Sequence, residues 1–358
     1  MANLNVHPDV ESTIKQFEIP ERLGFGVVMA PVMFHAEFQD GRWWDGELLP
    51  YGPIALDPAA KVLHYAQEIF EGLKAYRVNT NNATLFRPEQ NWARMNCSAR
   101  RLCMPELPQQ LFMQGVQLVT AYCENIIPRV TGQSLYLRPF MIGTQPDLSV
   151  SDSNTYSFYV IASPSEAYHN GNMRVLVERT DSRAAVGGTG AVKMGGNYAA
   201  SLLSVKRTQT KGLDQTLWLH PGNRRSIEEL SGMNFFAVME GELHTPRLSG
   251  SILPGVTRSS LIELAQSLSI AVHERDMDID DLLALISSGT CTEAFACGTA
   301  TIISPVSVLA ETDGGVYELP SAPGPVAEML REKLLDIQES RSEDLFGWVR
   351  KISPEFYP

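Results

Sequence analysis

A polar, glycine-containing stretch, SEAYHNGNM at 165–173, limits the fold more than any other feature, because it parts two segments that each carry their own strand and helix patterns. Such a break is where a chain leaves one hydrophobic core and begins another. The 358 residues suffice for about two domains of roughly 100 to 200 residues each. The sequence therefore predicts an α+β protein with a domain over 1–164, a linker over 165–176 and a second domain over 177–358.

In the first half, GFGVVMAPVMFHAEFQDGRWWDG reads as strands joined at Asp40-Gly41, since branched and aromatic residues flank a turn pair. LHYAQEIFEGLKAYR reads as a short helix running into a strand. In NWARMNCSARRL, Met95, Ala99 and Leu102 fall at i, i+4 and i+7, one face of a helix, with Arg94, Arg100 and Arg101 beside it. Another helix is expected around QLFMQGVQLVTAYCENI, followed by strands at SLYLRPFMIG and YSFYVIASP. The second half opens with a strand, MRVLVER, then a helix at NYAASLLSVKRTQTKG, a strand at TLWLH and two strands about Glu240-Gly241. A helix at VTRSSLIELAQSLSI turns Leu261, Ala265 and Leu268 to one side, and VAEMLREKLLDIQES supplies a late one.

Hydrophobic residues make up 44% and charged residues 20%, ordinary usage for a soluble chain. No apolar run approaches the roughly 18 residues that suggest a membrane span. The start, MANLNVHPDVEST, lacks a basic segment followed by an apolar one, so a cytoplasmic protein is expected. A net charge of -12 argues against a nucleic-acid partner, since a phosphate backbone favours a basic surface. The five cysteines, Cys97, Cys103, Cys123, Cys291 and Cys297, are odd in number and read as reduced core thiols. The seven histidines are scattered without HExxH spacing, so no metal is expected.

Four stretches could carry chemistry. In GGTGAVKMGGNY, Lys193 stands between glycine clusters that would let a flat ligand approach, with Tyr198 close behind. A lysine amine is a nucleophile when neutral, which suits Schiff-base chemistry. The stretch lacks the last glycine of GxGxxG and any GK[ST], so dinucleotide and P-loop readings fail. RSIEELSGMNFF places Glu228 and Glu229, by composition surface carboxylates, before a Ser231-Gly232 turn. SILPGVTRSSLIELA puts a Pro-Gly turn at a helix start, where backbone N–H groups favour a phosphate. EAFACGTATIISP sets small residues about Thr299, suited either to an anion or to close packing.

Together and in this order, these stretches and FEGLKAY, LFRP with ARMNCSARRLCMP, SLYLRPFMIGTQPDLSV, EELSGMN, LPGVTR and FACGTA resemble the branched-chain aminotransferases of the fold-type IV pyridoxal-phosphate enzymes. The resemblance implies two domains, the first smaller, with the cofactor between them. Pyridoxal 5′-phosphate would be joined to Lys193, which also moves the proton at Cα. Glu229, five residues before Asn234, would pair with the pyridine nitrogen, leaving Glu228 as a surface neighbour, and Tyr198 would donate to the phenolate oxygen. Arg94, the N–H groups of Val256 and Thr257, and Thr299 would hold the phosphate. Phe25, Tyr65 and Tyr168 would surround the substrate side chain, with Leu148 and Val150 reaching in from the second subunit of a homodimer. Tyr136 and Arg138 would meet a distal carboxylate, although pairing of Arg138 with a structural carboxylate stays open. The N–H of Ala300 would help bind the substrate α-carboxylate, since Gly232 stands where mammalian relatives have a contacting threonine.

Those relatives also carry a CxxC pair where this chain has Thr301 and Ser304, so thiol regulation of that kind is not expected. The implied reaction moves an amino group between L-leucine, L-isoleucine or L-valine and 2-oxoglutarate in ping-pong fashion. A D-amino acid aminotransferase, an aminodeoxychorismate lyase and a non-catalytic binding protein of the same fold are the alternatives.

Overall fold

Two of the predicted turn pairs take positive φ at both residues, 54° and 74° at Asp40-Gly41 and 53° and 81° at Glu240-Gly241. That is the backbone of a type I′ turn, whose twist matches the strands it joins. Val32–Gln39 turns back into Arg42–Trp43, and Met233–Met239 into Glu242–Pro246. The computed structural model describes residues 4–80, 82–166 and 171–358. Helices and strands mix throughout, as an α+β chain requires, and among the described residues no helix is long and apolar enough to cross a membrane.

Two units divide the chain. The first comprises Met1–Tyr168, Val192–Gly195 and Leu335–Pro358, and the second His169–Ala191 and Gly196–Leu334. The sheet of the first unit runs Asn5–Val6, Glu47–Pro50, Val32–Gln39, Tyr156–Ser165, Ser134–Gly143, Leu73–Tyr76, Thr84–Phe86 and Val349–Lys351, with Glu68–Phe70 paired onto Ser134–Gly143. The helix Gln109–Tyr122 packs on Val32–Gln39 and Tyr156–Ser165, where Phe34, Phe112, Val116 and Phe158 are fully buried. The helix Pro88–Arg101 buries Met95 and Ala99 as its periodicity predicts, while Leu102, just past its end, is half-buried.

In the second unit, the order Ile227–Leu230, Gln215–Leu219, Met173–Glu178, Ile302–Ala310, Cys291–Gly298, Met233–Met239 closes on itself, because Ile227–Leu230 also pairs with Met233–Met239. Closure removes the free edges that an open sheet would expose. Leu261 and Ala265 of the helix Val256–Ser267 are buried, but Leu268 caps that helix and is exposed. The helix Ile279–Ser287 was absent from the sequence reading; Ile279, Leu282, Leu283 and Ile286 bury its apolar face.

Several expectations need correction. Strands occupy both ends of the supposed linker 165–176, since one ends at Ser165 and the next begins at Met173. The second domain does not run to 358. Val349–Lys351 pairs with Thr84–Phe86, and Ile352 and Phe356 enter the first core, so the tail belongs to the first unit, which is the longer in residues. Val192 and Met194 join that core as well. The cysteines are unpaired, but Cys97 and Cys103 are exposed; only Cys123, Cys291 and Cys297 are core thiols.

Trp348 fastens the returning tail. Its ring meets Phe86 at 5.7 Å and Phe346 at 4.1 Å, the Arg87 guanidinium lies 4.9 Å from it, and its carbonyl accepts the Arg87 N–H. Truncating a buried tryptophan costs about 3–5 kcal/mol. Trp348→Ala should therefore lower stability by that order in urea titration; a change under about 1 kcal/mol would mean the tail is a passive appendage.

Candidate functional site

Lys193 is fixed through its main chain. Its N–H donates to Ser98 Oγ at 3.0 Å and its carbonyl accepts the Phe70 N–H at 3.0 Å. Val192 and Met194 on either side are buried, and Lys193 itself is half-buried. Its Nζ lies 4.6 Å from the centroid of the Phe70 ring, as does the Arg138 Cζ. Arg138 Nη2 donates to Tyr136 Oη at 2.9 Å, and Phe25 meets Tyr136 at 5.0 Å between ring centroids. The first unit thus gathers Lys193, Phe70, Arg138, Tyr136 and Phe25.

The alternative of a structural carboxylate for Arg138 rests on Glu68 alone, which feels the Arg138 charge without forming an ion pair with it. Among the described residues Arg138 Nε is buried without an acceptor. Glu68 stands near, accepting the Gly195 N–H. Burial pushes the Glu68 carboxyl above the ordinary glutamate range, against the Gly195 N–H and the Arg138 charge, which pull it down.

Arg94 points inward, whereas Arg100 is exposed and pairs with Glu106. Arg94 grips Glu71 with Nε and Nη2, both at 2.7 Å, and Asn91 Nδ2 donates to the same carboxylate at 2.8 Å. One turn further along, Ser98 Oγ donates to the Arg94 carbonyl at 3.1 Å while accepting from Lys193, so a single helix orients both cations.

The predicted substrate-side residues separate into two groups. Phe25, Tyr136 and Arg138 cluster as described. Tyr65 does not join them: its ring lies against His64 and its hydroxyl donates to the Leu148 carbonyl. It sits instead with Leu148 and Val150, whose side chains are 61% and 88% exposed. Tyr168 lies outside the described residues.

The second unit holds the carboxylates. Glu228 and Glu229 are both buried, which overturns the expectation of surface groups and of Glu228 as a surface neighbour. They occupy one strand of the closed sheet, where neither side chain reaches solvent. Glu229 forms an ion pair with Arg183 at 2.7 Å and accepts from Asn234 Nδ2 at 3.0 Å, Asn234 being its register partner across the Ser231-Gly232 turn. Glu228 accepts from Ser251 Oγ, and its Oε2 has no partner among the described residues. Only one of the two therefore has a cation.

Asn234 also reaches the next element. Its Nδ2 donates to the Leu253 carbonyl at 2.9 Å, and a Cβ at Gly255 would fall 2.1 Å from its Oδ1, so the approach to the helix Val256–Ser267 needs glycine. Val256 and Thr257 open that helix, whose first N–H groups lack intrahelical acceptors and suit an anion. Thr299 and Ala300 form the half-buried turn between Cys291–Gly298 and Ile302–Ala310. Tyr198 lies beside the other turn, its Cε1 3.6 Å from where a Cβ of Gly232 would be.

Residues 68–309 match the model of the family described as Amino-transferase class IV. The chain belongs to that family. It is 45% identical to the branched-chain-amino-acid aminotransferase of Mycolicibacterium smegmatis over 92% of each chain. It is 38% identical to branched-chain-amino-acid aminotransferase 2 of Bacillus subtilis over 99% of this chain and 98% of that one. Among solved structures, the branched-chain amino acid aminotransferase of Escherichia coli superposes with a TM-score of 0.73 at 25% identity, over 89% of this chain and 99% of that chain. The branched-chain aminotransferase of Thermoproteus uzoniensis with norvaline gives 0.72 at 25%, over 89% and 99%. The fold is that of fold-type IV aminotransferases, and the family's cofactor is pyridoxal 5′-phosphate.

Phe70, Glu71, Glu68, Arg183 and Asn234 are the partners that the sequence reading did not assign. Phe70 and Glu71 lie within the FEG segment that carried the resemblance, a signal available and unused. Arg183, in the loop before the lysine, had none.

Breaking a buried ion pair from one side costs about 3–5 kcal/mol. Arg183→Gln should accordingly destabilise the protein by about that much in denaturant titration, and Arg183→Gln with Glu229→Gln by less than the single change. Equal losses for the single and double variants would show that the pair is not what holds Glu229.

Proposed function

We propose that this chain transfers the amino group reversibly between L-leucine, L-isoleucine or L-valine and 2-oxoglutarate, with pyridoxal 5′-phosphate on Lys193. One observation carries the substrate assignment: Arg138, with a buried Nε lacking an acceptor, stands among Phe70, Tyr136 and Phe25. Aromatic walls suit a branched apolar chain. The guanidinium and the Tyr136 hydroxyl suit the second carboxylate of glutamate. The relatives named as branched-chain aminotransferases favour the same reading over a D-amino acid enzyme or a lyase.

The residues present fit the cofactor: a lysine with a fixed backbone, a buried carboxylate held by an arginine, and a helix start whose first N–H groups lack intrahelical acceptors. When bound, pyridoxal 5′-phosphate supplies an aldehyde for amines and an electron sink for charge at Cα. Lys193 Nζ would hold the cofactor covalently, and its free amine would move the proton at the substrate Cα. Glu229, oriented by Arg183 and Asn234, favours a protonated ring nitrogen. Tyr198 donates to the ring oxygen. The phosphate falls to Arg94, held by Glu71, to the N–H groups of Val256 and Thr257, and to Thr299. The Ala300 N–H receives the substrate α-carboxylate.

The proposal includes a cytoplasmic homodimer in which Leu148 and Val150 of one copy reach the substrate of the other, alongside Tyr65, which shares their surface. Support comes from their exposure and from the resemblance. The net charge of -12 speaks against nucleic acid as a further partner.

Lys193→Ala should abolish the covalent link and nearly all turnover. Borohydride reduction followed by peptide mass spectrometry should place the cofactor on Lys193; label on another lysine would defeat the assignment.

Arg138→Gln separates the two substrates. Loss of a charge-assisted hydrogen bond of roughly 1.5–3 kcal/mol should lower kcat/KM for glutamate about 10- to 150-fold and that for leucine much less. The measurement is single-turnover absorbance of each half-reaction. Equal losses would assign Arg138 to the structure or to the shared chemistry.

A further inference from the structure

Lys61 is fully buried, although it opens a short surface helix, Lys61–Tyr65, that carries the exposed Leu63 and Tyr65. A buried ammonium persists only where its N–H groups find acceptors. Its acceptors among the described residues lie on one short loop. Nζ donates to the Ser149 carbonyl at 2.6 Å, Ser149 Oγ at 3.2 Å and Ser151 Oγ at 2.9 Å, and pairs with Asp147 Oδ2 at 3.6 Å. The main chain adds a second tie, from the Lys61 N–H to the Gln145 carbonyl at 3.1 Å and from the Asp147 N–H to the Ala59 carbonyl at 3.1 Å.

The loop alternates around this cation. Asp147, Ser149 and Ser151 turn their polar groups to Lys61, while Leu148 and Val150 between them are left exposed. Tyr65, on the same helix, also fixes this loop by donating to the Leu148 carbonyl. A solvated loop would present its serines and hide its leucine and valine. This one does the reverse, and the inversion follows from where the lysine charge sits.

We propose that Lys61 is a positioning residue that acts across subunits: by fixing residues 147–151 it presents Leu148 and Val150 to the substrate pocket of a second copy of this chain. The inference rests on the reading that those two side chains contact the partner copy's substrate. Side chains that serve another copy's pocket must be ordered by their own chain beforehand, since ordering them on binding would weaken substrate affinity.

The test uses the full-length holoenzyme. Lys61→Met keeps the length of the side chain and removes its charge and donors. Expected is a rise of about 10-fold in KM for leucine with kcat within about twofold, the signature of lost binding that is equal in ground and transition states. The decisive measurement is a mixed dimer of a Lys61→Met copy and a Lys193→Ala copy, purified through two different affinity tags. Its one site with a lysine lies on the Lys61→Met copy and takes its 147–151 loop from the Lys193→Ala copy, where Lys61 is intact. KM for leucine should return to the wild-type value.

A KM that stays raised in the mixed dimer would overturn the proposal, because Lys61 would then act within its own chain. So would an unchanged KM in the Lys61→Met homodimer, or a fall confined to kcat. Val150→Ala tests the reading beneath: if it leaves the leucine KM unchanged, the loop is not at the substrate, whereas if it raises KM and Lys61→Met does not, only the role of Lys61 fails. Should Lys61→Met not fold, Ser151→Ala removes a single acceptor and should show a smaller rise, about 2- to 5-fold, with the same restoration in the mixed dimer.

Discussion

Two main-chain hydrogen bonds at Lys193 govern the arrangement of the first unit's reactive groups. A lysine side chain has four rotatable bonds and a mobile amine, so its direction has to be set at the backbone. The bonds to Ser98 Oγ and from the Phe70 N–H set it, and Val192 and Met194 anchor the segment in the core while the flanking glycines contribute no side chains. The bond to Phe70 also brings its ring to the amine. Since Glu68–Phe70 pairs with Ser134–Gly143, that contact carries the neighbouring strand along with it. Tyr136 and Arg138 are two residues apart on this strand and so share a face, which is why the hydroxyl and the guanidinium meet.

The second unit meets a different constraint. Its six-stranded ring has no edge, and a strand within it that reads IEEL must place two carboxylates among buried residues. A buried carboxylate needs donors, and for Glu229 they come from three directions: Arg183 from the loop that follows Met173–Glu178, Asn234 across the hairpin, and the Leu253 N–H at 3.5 Å. Asn234 then couples the carboxylate to the helix start at Gly255. The position of that helix's first N–H groups and that of the carboxylate are therefore set by one asparagine.

What could be read from the sequence was local. Type I′ turns at Asp40-Gly41 and Glu240-Gly241, the amphipathic helix through Met95 and Ala99, and the strands at SLYLRPFMIG and YSFYVIASP depend on neighbours in the chain, and they form where expected. Contacts that close over long separations were not legible. The return of Val349–Lys351 to Thr84–Phe86 spans most of the chain, and nothing in VRK declares a partner. The burial of Glu228 and Glu229 was hidden for the same reason, since a polar dipeptide looks exposed until the ring closes around it. Family motifs singled out Arg94 and Glu229, but not Glu71 and Arg183, which hold them. The grouping of Tyr65 with Leu148 was not legible either, because a motif records order along the chain, whereas its hydroxyl bond to Leu148 is set by the loop that Lys61 gathers.

In the role proposed for it, Arg138 would have to let one site tolerate two unlike ligands. A buried donor with no acceptor costs about 1–3 kcal/mol, and such a cost is offset when a carboxylate arrives. With an apolar ligand that compensation is missing, and the cation has to be tolerated. Here its Cζ lies 4.6 Å from the Phe70 ring and 5.3 Å from the Tyr136 ring, and one Nη already donates to the Tyr136 hydroxyl. Guanidinium is weakly hydrated and is stabilised over aromatic faces, by roughly 0.5–2 kcal/mol per contact. The two rings thus offset much of the cost that an unpaired Nε carries. A lysine at this position would hold a more strongly hydrated charge with no planar face to stack, and the apolar ligand would then meet an unfilled ammonium. On the role proposed for Arg138, the choice of arginine, more than its charge alone, would let leucine and glutamate share the same walls.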